Sequence, residues 1–292
     1  MCKPKTEKIR TQNVACVIPT HNRLNSLKKI IGQLGKQSKS PEYIVIIDDG
    51  SSDGTGKYVE ELRQNNIKLL HGDGSLWWGG AVHKGINYVL NDPGETDYIL
   101  LLNDDSLIED NYIEEMVKDS ELFQGAVVVS PQYQTGAHEV GLTGFKVSYK
   151  KMKILRTKEK EVDATVGRGL LIPISVSRKI GNVNHRLFPH YMGDVEYTAR
   201  IKEKGFPLVI SEKGKMFTDL NESDGHIRAR GIIISMFHSR SKVNVRDRLF
   251  FFVTRGPWVY RIFAAPRIMA EVFKVLIKIS IKNILGTVRF HK

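Results

Sequence analysis

The sequence predicts an α/β fold, a parallel, doubly wound sheet with helices on both faces, on three observations. Short apolar runs alternate with amphipathic segments through the first half of the chain, and polar clusters follow three of those runs. A composition of 41% hydrophobic and 26% charged residues over 292 positions is that of a globular chain with a sizeable core, enough for one large α/β domain with an appendage or for two small domains.

Taken in order, Val14 to Pro19, Tyr43 to Asp48, Ile67 to Leu70, Tyr98 to Asn103 and Ala126 to Ser130 have the length and β-branched content of buried strands. Between them, Leu24 to Leu34, Thr55 to Asn65, Ala81 to Leu90 and Asn111 to Leu122 place apolar residues at helical spacing. Helical crossovers between strands bring those strands parallel. Gln132 to Val166 loses the alternation and carries Lys150, Lys151, Lys153, Arg156, Lys158 and Lys160, which predicts a meander or an irregular excursion. Gly167 to Pro173 reads as a strand whose glycines permit close backbone approach. Asp194 to Lys204 begins a helix stopped by Gly205, and Phe206 to Ser211 is a further strand.

Ligands of such sheets bind beyond the carboxyl ends of strands. Thr20-His21-Asn22-Arg23, Asp48-Asp49-Gly50-Ser51-Ser52-Asp53 and Asn103-Asp104-Asp105 all fall there, facing one crevice. The neighbouring carboxylates of Asp104 and Asp105 repel unless a metal or a proton sits between them. They either hold Mg2+ or Mn2+ beside a diphosphate or form a plain polar turn. No Gly-x-Gly-x-x-Gly follows the first strand and no phosphate-cradling loop occurs, which argues against a dinucleotide oxidoreductase and a P-loop enzyme. Trp77 and Trp78 are either a stacking surface for a sugar or core anchors. Gly79 and Gly80 would let backbone N–H groups approach a diphosphate. Cys2 and Cys16 provide no disulfide framework, and Met1 to Gln12 lacks the apolar stretch of a signal peptide, so a cytoplasmic protein is expected.

The net charge of +12 is unevenly placed: Arg228 to Lys292 holds 14 Lys and Arg against Asp247 and Glu271, and the remainder of the chain cancels. Trp258 to Leu285 is a helical pattern punctuated by Pro266. Lys274, Lys278 and Lys282 form one stripe of it, and Phe273, Ile277, Ile284 and Leu285 another. Such helices lie in an anionic membrane interface or pack on the preceding domain. No charge-free run approaches the roughly 20 residues that span a bilayer. The chain divides accordingly into a domain at 11–235 and a basic, amphipathic helical extension at 236–292.

In this order and spacing, Val17-Ile18-Pro19-Thr20-His21-Asn22-Arg23, Ile47-Asp48-Asp49-Gly50-Ser51-Ser52-Asp53-Gly54-Thr55 and Leu102-Asn103-Asp104-Asp105 resemble family 2 glycosyltransferases of GT-A fold. The resemblance covers roughly Asn13 to Asp219. The stretch Gly74-Ser75-Leu76-Trp77-Trp78-Gly79-Gly80-Ala81 is similar to the rhamnosyltransferase-like branch.

The resemblance implies a mixed GT-A sheet and a divalent metal, Mg2+ or Mn2+. It puts Thr20, Asn22 and Arg23 beside the nucleoside of a UDP- or dTDP-sugar and Asp49 on the base. Asn103 and Trp78 also belong to the donor site. Asp104 is at the ribose or diphosphate, and Asp105 is the principal metal ligand, seconded by Asp104. Gly193-Asp194-Val195-Glu196, followed by Arg200, makes Asp194 the catalytic base. Gly193 stands where many relatives carry an acid, from which a less elevated Asp194 pKa is expected. A family histidine is missing from Lys215 to Asp219, so Asp219, His226 or His238 would stand in as metal ligand.

The implied activity is inverting transfer of a hexosyl or deoxyhexosyl group to a glycan or polyprenyl-linked acceptor, in surface-polysaccharide assembly. The expected setting is the inner face of the cell membrane, without nucleic acid, with a homodimer as a possible state. A sugar nucleotidyltransferase would need a glycine-rich basic loop that Pro19 to Arg23 is not. A non-catalytic polyanion binder would leave the acidic crevice without a role.

Overall fold

The structure is a computed structural model that describes residues 12–92, 94–134, 140, 141, 143–218, 244–274 and 277. The first half follows the predicted alternation: β1 (Val14–Thr20), α1 (Leu24–Leu34), β2 (Tyr43–Asp48), α2 (Thr55–Glu61), β3 (Ile67–His71), α3 (Trp77–Asn91) and β4 (Tyr98–Leu101). There follow β5 (Ser106–Ile108), α4 (Tyr112–Leu122), β6 (Val127–Val129), β7 (Gln132–Gln134), β8 (Val140–Gly141), β9 (Gly144–Ser148), β10 (Lys153–Thr157), β11 (Ala164–Thr165) and β12 (Leu170–Pro173). The remaining elements are α5 (Ile174–Ile180), α6 (Gly193–Glu203), β13 (Leu208–Ile210), β14 (Met216–Thr218), α7 (Val245–Thr254) and α8 (Trp258–Arg261). Residues 264–274 are also helical.

The main sheet has the order β13-β6-β12-β4-β1-β2-β3. Its core divides by the period of two that a strand imposes. Val14, Cys16, Ile18, Ile44 and Ile46 pack against α1 and α4 on one face, while Ala15, Val17, Val45 and Ile47 pack against α3, α5 and α6 on the other. Residues buried on both faces explain the near-continuous apolar runs.

The sheet is not all parallel. β12 runs antiparallel between β4 and β6, pairing Leu170 with Leu101 and Leu170 with Val129. The all-parallel expectation from the strand–helix alternation is therefore corrected to the mixed sheet. The described residues of the excursion after β6 also form strands, with β9 hydrogen-bonded to β10 and β11, and β14 lying between β5 and β7. α3 begins four residues earlier than its apolar spacing indicated, at Trp77.

Leu249 to Val253 lies within α7, whose start is capped by Asn244: its Oδ1 accepts the N–H groups of Arg246 at 2.8 Å and Asp247 at 3.4 Å. Phe251, Phe252, Ala264 and Ile268 join Phe188, Val195 and Ala199 in one buried cluster, so one face of the C-terminal helices packs against α6 and the segment before it. The expected boundary at 235 and 236, Lys278, Lys282, Ile284 and Leu285 lie outside the described residues.

Candidate active site

The pairing of β1 with both β2 and β4 brings three carboxyl ends together, with Thr20 in register with Asp48. A cavity of about 390 Å3 opens at that edge, beside β1, where the chain order of the parallel strands reverses. Thr20, Arg23, Asp49, Trp78, Asn103, Asp104 and Asp105 all line it.

The acid pair is built into this wall. Thr20 Oγ1 donates to Asp104 Oδ2 at 2.8 Å, and Arg23 Nη1 lies 3.6 Å from Asp104 Oδ1. Burial still dominates, pushing the Asp104 carboxyl up to about 6 although Arg23 and Thr20 pull the other way. Asp105 Oδ2 accepts from Arg23 Nη1 at 3.2 Å and from Arg168 Nη2 at 3.1 Å, while its Oδ1 is buried without a hydrogen-bond partner.

A carboxylate oxygen left unpaired in a wall is costly, and a hard cation would satisfy it. Asp105 and Asp104 thus fit a divalent metal, which they would hold as two protein ligands. No group of three or more His, Cys, Asp or Glu gathers for a metal among the described residues. The candidate substitutes Asp219, His226 and His238 lie outside those residues.

Asp49 has a further task. Its Oδ1 accepts the N–H groups of Gly74 at 2.9 Å and Leu76 at 3.2 Å, and its Oδ2 that of Trp77 at 2.9 Å. This carboxylate caps the start of α3 and holds Trp77 at φ +56, a left-handed conformation rare for a bulky residue. His21 Nδ1 lies 2.6 Å from the Asp49 carbonyl oxygen, fastening the first polar cluster to the second. Trp78 Nε1 donates to Asn103 Oδ1 at 3.2 Å, and the Trp77 ring meets His190 edge to face at 5.4 Å.

Three of the expected donor-site residues do not line the cavity. Asn22 is exposed and absent from the cavity lining; its Oδ1 accepts the Ser52 N–H at 2.7 Å, tying the two loops together at the rim. The Gly79 N–H donates to Pro189 O at 2.8 Å and the Gly80 N–H to Leu76 O at 2.9 Å, so neither is available to a diphosphate. Gly79 is small for a packing reason: a Cβ there would stand 2.6 Å from the Phe188 carbonyl oxygen.

Asp194 does not line the cavity either. It is half-buried at the start of α6, with Oδ2 accepting the Gly167 N–H at 2.9 Å and Oδ1 the Val195 N–H at 2.8 Å. Gly167 separates it from Trp78, for a Cβ at Gly167 would lie 2.4 Å from Trp78 Cζ2 and 3.0 Å from Asp194 Cβ. The like-charge neighbour is missing as the sequence implied, yet burial raises this carboxyl above its ordinary value.

Two lining residues escaped the sequence reading, Arg168 and His190. Arg168 precedes β12, and in a parallel strand that position would sit at the opposite edge of the sheet. Because β12 is antiparallel, its start lies beside the end of β4, next to the acid pair. A basic residue between two glycines, Gly167-Arg168-Gly169, was the available signal.

The profile of glycosyl transferase family 2 matches residues 15–174. The chain belongs to glycosyl transferase family 2. Among curated proteins, this family 2 member is 23% identical over 122 residues to glycosyltransferase GlyG of Streptococcus pneumoniae serotype 4 (strain ATCC BAA-334 / TIGR4), covering 41% of this chain and 39% of that one. It is 31% identical over 84 residues to the polyprenol monophosphomannose synthase of Mycolicibacterium smegmatis (strain ATCC 700084 / mc(2)155), covering 27% and 31%. The matched stretches span less than half the length of these relatives.

Among solved structures, S. aureus TarS 1–349 in complex with UDP superposes with TM-score 0.56 at 16% identity, over 72% of this chain and 61% of that one. GalNAc-T7 with UDP, GalNAc and Mn2+ gives TM-score 0.60 at 15% identity, over 72% and 44%. At these identities the likeness concerns the fold, which is GT-A.

Proposed function

We propose that this family 2 glycosyltransferase moves a hexosyl or deoxyhexosyl group, with inversion, from a UDP- or dTDP-sugar to a hydroxyl of a glycan or polyprenyl-linked acceptor. The observation that carries this reading is Asp105 with one buried, unpartnered oxygen, set beside Asp104 in a cavity walled by Arg23, Arg168 and Trp78. Carboxylates alone would repel a diphosphate, so the site needs cations. The two arginines supply some, and Asp105 with Asp104 would hold Mg2+ or Mn2+, which when bound neutralises the charge that builds on the leaving diphosphate.

Thr20 and Arg23 are positioned for the nucleoside and its phosphates. Trp78, pinned by Asn103, gives the donor an aromatic wall. Asp49 has one acceptor position left on Oδ2 after its three backbone donors, enough for a base imide or a ribose hydroxyl. Asp194 is the proposed base. Each of its oxygens takes one backbone N–H, leaving a lone pair for an acceptor hydroxyl, and its burial favours taking a proton.

A role in surface-polysaccharide assembly at an anionic membrane face is supported by the C-terminal helices. Ala264, Ile268 and Val272 point into the domain, but Met269 and Phe273, each one residue and so about 100° further round the helix, are exposed, as is Ile277, four residues beyond Phe273. Trp258, Ile262 and Phe263 extend the apolar exposure, and Arg261 and Lys274 are exposed beside it. No helix of the described residues is long and apolar enough to cross a membrane.

A panel of UDP- and dTDP-sugars with Mn2+, read by thermal unfolding, tests the donor class. Stabilisation by at least one sugar nucleotide is expected, and none by NAD or ATP. A flat response across the panel would remove the proposal.

A further inference from the structure

Asp105 Oδ2 is approached by two guanidinium groups, from α1's first residue neighbour Arg23 and from Arg168 before β12, while Oδ1 of the same carboxylate has no partner. A carboxylate so held is electrostatically satisfied on one oxygen only, and a metal arriving alone would have to compete with both cations. We propose that Arg168 is a diphosphate ligand held in reserve by Asp105: the donor diphosphate draws its guanidinium off Oδ2, and the carboxylate so released takes the divalent cation. This rests on the donor reading above and adds to it a residue and an order of events.

The backbone around Arg168 is built for a side chain that moves on a fixed base. Gly167 N donates to Asp194 Oδ2 at 2.9 Å, Gly169 N donates to Leu101 O at 2.9 Å, and Gln132 Nε2 donates to Arg168 O at 3.3 Å. Gly169 holds φ +68, and a Cβ there would stand 2.6 Å from Ser130 Oγ, so the turn tolerates no other residue without displacement. The Arg168 side chain, by contrast, is 22% exposed in the cavity and has Asp105 as its carboxylate partner. A planar guanidinium suits a phosphate as well as a carboxylate, and a diphosphate offers it more negative charge than the single oxygen it shares with Arg23.

Calorimetric titrations of the full chain test the exchange, using Mn2+ alone and UDP and dTDP each without metal. Arg168→Gln should bind Mn2+ alone about ten-fold more tightly than wild type, because one competitor has left Asp105, and bind the preferred nucleotide about ten-fold more weakly. Arg168→Lys, which keeps the charge without the fork, should recover part of the nucleotide affinity and leave the unfolding temperature at the wild-type value. Unchanged nucleotide affinity in Arg168→Gln, or unchanged Mn2+ affinity, would overturn the exchange while leaving the donor site standing. Failure of wild type to bind either nucleotide, with or without Mn2+, would overturn the donor reading and the exchange together.

Discussion

Asp194 Oδ2 accepts the backbone N–H of Gly167 at 2.9 Å, which couples the first turn of α6 to the loop that carries Arg168 into the cleft. One carboxylate thus touches both halves of the proposed chemistry, the base and the phosphate-binding wall. Asp194→Asn keeps one acceptor and the shape of the side chain. It should lower transfer at least 100-fold with nucleotide affinity nearly unchanged. Steady-state rates beside calorimetry check this, and full activity in the variant would assign the base elsewhere.

The Gly167 position allows no side chain, since its Cβ would meet the Trp78 ring at 2.4 Å. Gly167→Ala should cost about 1–3 kcal/mol of stability and displace Trp78 from Asn103. Urea unfolding measures the first effect and tryptophan fluorescence the second; wild-type behaviour in both would mean that the wall yields freely.

Burial pushes the Asp104 carboxyl from the ordinary carboxylate range up to about 6 in the folded chain. The folded chain therefore holds a proton that the unfolded chain releases between about pH 4 and pH 6. Stability from this group falls as pH rises through that window and stays low above it. Asp104→Asn removes the penalty, so its stability relative to wild type should rise by about 1–3 kcal/mol between pH 4 and pH 7.5. Chemical denaturation at both pH values decides; a difference independent of pH would show that burial does not set this carboxyl.

Glu196 is buried and paired with Arg200 through Nε at 3.1 Å and Nη2 at 3.2 Å. Arg200 also donates to Ile180 O at 2.9 Å and Asn182 O at 2.8 Å, fastening α6 to the end of α5. Arg200→Met leaves the buried Glu196 charge to Arg255 Nε, 3.5 Å from its Oε1, and removes both backbone contacts, so a loss of about 1–3 kcal/mol is expected. A loss under 1 kcal/mol would place the pair among exposed, weak ones.

The C-terminal apolar face gives a binding prediction. The full chain should float with vesicles containing phosphatidylglycerol and bind less as salt rises. Replacing Trp258, Phe263 and Phe273 together by Ser should reduce the bound fraction at least ten-fold. Equal binding of the triple variant, or self-association in place of lipid binding, would contradict the membrane proposal.

The strand–helix alternation and the three polar clusters were legible because they depend on local pattern: apolar runs of strand length, helical spacing, and acids at strand ends. What escaped depended on pairing between distant segments. Nothing local in Leu170 to Pro173 says that β12 enters the sheet antiparallel, and that direction alone puts Arg168 beside Asp105. The same limit explains Gly79, whose smallness answers the Phe188 carbonyl more than a hundred positions later. It also explains Asp49, whose backbone partners lie at residues 74, 76 and 77.

The most direct measurement is release of nucleoside diphosphate from UDP- and dTDP-sugars by wild type and by Asp105→Asn, with Mn2+ or with EDTA. Wild type with Mn2+ should release UDP or dTDP from at least one donor, and both EDTA and the substitution should reduce that rate at least 100-fold. Release undiminished in Asp105→Asn, or no release from any donor, would contradict a cation-assisted glycosyl transfer at this cleft.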